Sequence, residues 1–135
     1  MRKVLIAIVA VSLGGTMMAA TATPETVMIT YRPKAGSEKA LARVIAEHWA
    51  AAKRLDLVRP EPHITLSATD KDGVYFVDIF TWRDASIPDA APAEIKTIWD
   101  EMNQLTEARG GHPAMALTEM TVLTSPGTFP GSFGK

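Results

Sequence analysis

Apolar residues recur along this chain with two different periods, and the switches between them predict six elements. From Val27 to Pro33 the run VMITYRP is β-branched and aromatic and closes on a proline, which predicts a first strand. KAGS turns the chain, with Ser37 placed to cap a helix and Glu38 an acid in its first turn. Leu41, Val44, Ile45, Ala52 and Leu55 then repeat at three- and four-residue spacing, so the helix is predicted to run to about Arg54, where Lys53 and Arg54 complement its negative end. Pro60 and Pro62 punctuate the exit. A second strand is predicted over His63–Thr69, where Ile64, Leu66 and Ala68 alternate with His63, Thr65 and Ser67. DKDG makes a hairpin connection, with Gly73 free to take a positive φ, and Val74–Trp82 is the third strand. A second helix is predicted to open with Pro92 at its first position and to carry Ile95, Ile98, Trp99, Met102 and Leu105 on one face. Gly110 or Gly111 can cap it, and Ala114–Leu123 is the last strand.

A β-α-β unit written twice predicts an α+β, ferredoxin-like βαββαβ fold: a four-stranded antiparallel sheet with both helices on one face. The third strand is apolar on both sides. Val74, Phe76, Phe80 and Trp82 share a face with Asp78, and Tyr75, Val77 and Ile79 share the other; Val27, Ile29 and Tyr31 lie opposite Met28 in the first strand. Two helices cover one face only, and an antiparallel sheet whose second face met water would alternate cleanly. Burying about 300–400 Å² of that second face would gain about 8–10 kcal/mol before association costs. The economical cover is a second copy of the same sheet, so a two-fold homodimer is expected.

The two ends do not carry these periods. Residues 1–22 have Arg2 and Lys3, a short apolar run from Val4 to Leu13, then small residues ending Ala20-Thr21-Ala22, the pattern of a secretory signal peptide. The run is about half the length of a membrane span. Cleavage is expected after Ala22, which places the product in the periplasm or outside the cell with no remaining membrane attachment. Residues 125–135, SPGTFPGSFGK, read as a flexible tail, leaving 23–124 as the folded domain. Without Arg2 and Lys3 the chain has 12 basic and 15 acidic residues, net −3, and no basic run, which excludes nucleic acid as an expected partner. It has no cysteine, so stability must come from packing rather than disulfides.

Two polar residues break the apolar pattern. His48 falls on the inward stripe of the first helix, where it is either a chemical group or a satisfied buried side chain. Asp78 lies inside the hydrophobic third strand, paired either with His48, as an acid that fixes the imidazole tautomer, or with Arg32 or Arg83 at a strand end. His48, His63 and His112 have no metal-ligand spacing, and neither a phosphate loop nor a dinucleotide fingerprint is present, so no metal and no cofactor is expected.

The stretches VMITYRPKAGSEKALARVIAEHW, VYFVDIFTWRD and IWDEMNQLTE resemble, in order and spacing, the first strand-helix unit, third strand and second helix of the dimeric α/β-barrel superfamily, most closely its antibiotic-biosynthesis-monooxygenase-type branch. The likeness covers Thr26 to Thr124. It implies a small-molecule pocket between sheet and helices, lined here by Trp49, Trp82, Trp99, Met102 and Tyr31. It further implies His48 as a candidate base, Asp78 as its orienter and Arg83 as an oxyanion partner. Haem-degrading relatives resemble one another in an Asn on the first strand and a His on the second helix. Met28, Thr30, Trp99 and Met102 stand in those places here, so haem chemistry is not expected. Two functions follow: an exported pocket protein that binds a small aromatic or apolar ligand, or a cofactor-independent monooxygenase acting on a phenol or quinol.

Overall fold

A computed structural model describes residues 21–122. Most of the segment read as a signal peptide, the 125–135 stretch read as a tail, and Leu123 and Thr124 at the predicted end of the domain lie outside the described residues. The elements are β1 (Glu25–Tyr31), α1 (Glu38–Arg54), β2 (Val58–Asp70), β3 (Gly73–Trp82), α2 (Ala93–Leu105) and β4 (Met115–Met120). The strands form one antiparallel sheet in the order β2-β3-β1-β4, the ferredoxin-like order.

The helix ends are built differently from the expectation. Ser37 occupies the N-cap position of α1 but makes no side-chain capping bond. At the other end Asp56 takes a left-handed conformation with φ 57, Leu57 N donates to Ala52 O at 2.9 Å and Asp56 N to Lys53 O at 3.0 Å. That is a Schellman stop with an aspartate where glycine is usual. Pro92 is the N-cap residue of α2, so the helix starts at Ala93, one place later than expected. The helix ends at Leu105, well before the two glycines, because Thr106 turns extended, returns its hydroxyl to Met102 O at 2.9 Å and bridges to Pro33. Gly110 and Gly111 instead turn the chain between Arg109 and His112.

β2 begins at Val58, five residues earlier than the alternation predicts, and runs through both prolines. It lies at the edge of the sheet, where a missing N–H removes no ladder bond, and the register against β3 shifts between Val58 and His63. Phe76, Asp78, Phe80 and Trp82 turn toward the helices together with Val27 and Tyr31. This settles the side on which Asp78 lies. The core has two lobes. One gathers Val27, Ala51, Ala52, Val58, Phe80, Trp82 and Ile95; the other gathers Tyr31, Leu41, Val44, Ile45, Phe76 and Met102. Ile29, Ile98 and Trp99 pack against both.

On the rear face, register lines up Ile64, Ile79 and Met28 across three strands and sets Leu66 beside Val77. Ile64 is 46% and Leu66 52% exposed in the single chain, so this side of the sheet presents large aliphatic groups to solvent.

Candidate ligand pocket

α2 leans over the β1–β4 half of the sheet and leaves a cavity of about 350 Å³ between them. Its floor is Ile29 and Tyr31 from β1 with Met115 and Leu117 from β4, cross-strand partners on the helix-facing side. Its roof is Trp99, Met102 and Asn103 from α2, and Trp82 and Pro88 close one end. Leu117, 58% exposed, stands at the mouth. The volume is at the small end of the range for ligand sites, and the wall is hydrocarbon and aromatic apart from the Tyr31 hydroxyl and the Asn103 amide. A larger, open depression of about 690 Å³ lies at the far end of the sheet, walled by Thr26, Arg59, Glu61, Thr81 and Glu119. It is charged and shallow and meets none of the anticipated residues.

Tyr31, Trp82, Trp99 and Met102 line the cavity. His48 stands behind its wall. The imidazole is 2% exposed, with the rings of Phe80, Trp82 and Trp99 around it at centroid distances of 5.7, 5.9 and 6.2 Å. The indole Nε1–H of Trp99 donates to His48 Nε2 at 3.1 Å. An accepting Nε2 puts the proton of the neutral ring on Nδ1, and that atom is buried with no partner among the described residues. Burial, helped by the nearby His63, pushes the His48 pKa down to about 4. The basic nitrogen is thus already occupied and its charged form disfavoured, a poor arrangement for a general base.

Asp78 does not meet His48, Arg32 or Arg83. Its Oδ1 accepts from Thr65 Oγ1 at 2.7 Å and lies 3.3 Å from His63 Nε2, while Oδ2 is buried without a partner among the described residues. Desolvation raises its pKa against the opposing pull of Thr65 and His63. Burial, with the charge of Asp78 added, holds the Tyr31 phenol far above its ordinary value, so Tyr31, one of the lining residues, stays neutral. Trp49 does not line the cavity: it stacks on His63 with ring centroids 3.7 Å apart and 11° between planes, and Lys53 Nζ lies 5.8 Å from the same indole. Arg83 also lies outside, paired at 2.7 Å with Asp56 at the end of α1. Arg32 is buried on the rear side, bound to Asp70 at 2.9 Å and resting over Tyr75.

His63, Thr65 and Asn103 are the residues that pattern reading missed. In the sequence His63 stands out only as a member of an alternating strand and as one of three histidines without metal-ligand spacing; its role depends on the β2–β3 register that sets Thr65 opposite Asp78. Asp70, Asp72 and His112 also converge, with ligand atoms within 4.8 Å of one another. Arg32 already holds Asp70 and Lys71 pairs with Asp72, so the cluster is neutralised by its own cations.

No protein-family model matches the chain, and no curated protein matches its sequence significantly. Solved structures do match. SnoaB, a cofactor-independent oxygenase from Streptomyces nogalater, superposes with a TM-score of 0.58 at 18% identity, over 79% of this chain and 100% of that one. An antibiotic biosynthesis monooxygenase gives 0.55 at 15% identity over 74% of this chain and 99% of its own. Rv0793 from Mycobacterium tuberculosis gives 0.55 at 15% identity, over 77% and 99%. At such identities the likeness establishes the fold, an α+β architecture of the antibiotic-biosynthesis-monooxygenase type.

Proposed function

We propose that this is an exported pocket protein that binds a compact aromatic molecule between α2 and the β1–β4 half of its sheet, and that it works as a homodimer joined through the rear sheet faces. The observation that carries this reading is the apolar cavity walled by Trp82 and Trp99. Flat aromatic walls favour a flat ligand by stacking, and the Tyr31 hydroxyl and Asn103 amide supply polar contacts that orient it. The aliphatic rear face supports the dimer, and the basic-apolar-small pattern of residues 1–22 supports export. Titration calorimetry with 2-naphthol tests the pocket. Saturable binding is expected, weakened at least tenfold by Asn103→Trp, which fills the cavity from an exposed position on α2; heats that do not saturate, or that the variant leaves unchanged, refute it.

A second reading is cofactor-independent oxygenation of a phenol or quinol held in the same cavity. It is favoured by the three-dimensional likeness to SnoaB, itself a cofactor-independent oxygenase. On this reading His48 is not the base, because its Nε2 is engaged by Trp99. Oxygen uptake with 1,4-naphthohydroquinone, above the rate of the uncatalysed reaction, decides between binding and turnover. His48→Ala that abolishes uptake while preserving binding would restore His48 as the base.

A further inference from the structure

We infer that His48 is a proton-operated latch on the pocket wall: its neutral ring holds Trp99 in the binding conformation, and its protonated ring releases it. This rests on the pocket reading for its consequence to ligand, but the latch itself lies in the contact between α1 and α2.

The inference starts from hydrogen-bond bookkeeping. Trp99 is a cavity wall, and its indole N–H can only donate. The acceptor is His48 Nε2 at 3.1 Å. A protonated imidazole carries hydrogen on both nitrogens, so Nε2–H would then face Nε1–H, donor against donor. The indole must turn away, and turning it changes the roof of the cavity. Among the described residues, few groups nearby would soften this change. On β3 the neighbours are the rings of Phe80 and Trp82, and Asp78 is turned to Thr65 and His63. On β2 the titratable neighbour is His63, whose charge opposes a second one on His48. On α2 the contact is Trp99 itself. Burial sets the working range: the His48 pKa lies at about 4, so the latch is closed at neutral pH and opens in acid.

The test uses the full chain, purified, with indole ¹H–¹⁵N spectra and 2-naphthol binding measured from about pH 3.5 to 7.5, a range over which a phenol stays un-ionised. The Trp99 indole resonance is expected to titrate with a midpoint near 4, in step with the apparent Kd, which rises about fourfold by the acid end of that range, about half a pH unit below the midpoint. His48→Gln keeps a neutral acceptor. It is expected to bind within about threefold of wild type at pH 7, with both titrations flattened; far-UV circular dichroism on the same samples separates this from acid unfolding. A Trp99 resonance that does not move, or a midpoint retained in His48→Gln, overturns the latch. Failure of 2-naphthol to bind at any pH refutes the pocket reading instead, and the indole titration still decides the latch.

Discussion

Acidification should destabilise this fold through His48 by an amount that can be worked out. The unfolded chain has an ordinary histidine near 6.5, and the folded chain holds His48 at about 4. Between those values the unfolded state binds more protons, so stability is fully present above about pH 6.5 and falls as the pH drops through the window. Integrating the linkage for one group gives a loss of about 2 kcal/mol at pH 5 and about 3 kcal/mol at pH 4. With a urea slope of about 1.5 kcal/mol per molar, 3 kcal/mol moves the midpoint by about 2 M. The assay is urea unfolding followed by tryptophan fluorescence at fixed protein concentration, wild type against His48→Gln, from pH 7 to pH 4. Other titrating groups are common to both chains and cancel in the difference. Wild type should lose about 2 M more of its midpoint than the variant over this range. Parallel curves would mean that His48 is not the buried neutral acceptor described above.

Three further outcomes follow from other parts of the molecule. Leu66→Arg puts a charge in the rear aliphatic face and should convert the proposed dimer to monomer in sedimentation velocity, leaving far-UV circular dichroism unchanged. Asp78 has its carboxyl pKa raised on folding, so its contribution to stability is present at low pH and lost as the pH rises; Asp78→Asn should raise the thermal midpoint at pH 8 and change it little near pH 3.5, in calorimetry. Gly110 has φ +60, where an L side chain is strained, and a Cβ there would also push the Asp72 carboxylate aside, so Gly110→Ala should cost about 1 kcal/mol or more by urea unfolding.

The order of strands and helices was legible because each element buries one face, and burial of one face writes a period into the chain. Leu41, Val44 and Ile45 announce α1 as plainly as Val74–Trp82 announces β3. Boundaries were less legible where tertiary contacts fix them. α2 ends at Leu105 because Thr106 meets Pro33, seventy-odd residues earlier, and the glycines that signal a cap serve the next turn. β2 accepts Pro60 and Pro62 because it is an edge strand, a fact of topology and not of composition. The site shows the same division. Trp82, Trp99, Met102 and Tyr31 line the cavity, yet Trp49, adjacent to His48, is rotated out of it to stack on His63. Asp78 was conspicuous as a carboxylate in an apolar strand, but its partners come from the β2 register, which alternation alone leaves open. His48 was conspicuous too, and its answer is a hydrogen bond to α2 that no local pattern encodes.

The placement of the ligand is tested most directly by following the three tryptophan indole resonances while 2-naphthol is added to the full chain at pH 7. Trp82 and Trp99 should shift together and saturate with one affinity, while Trp49, stacked on His63 outside the cavity, stays in place. A shift confined to Trp49, or no shift in Trp82 and Trp99 at saturating ligand, would contradict a binding site between α2 and the sheet.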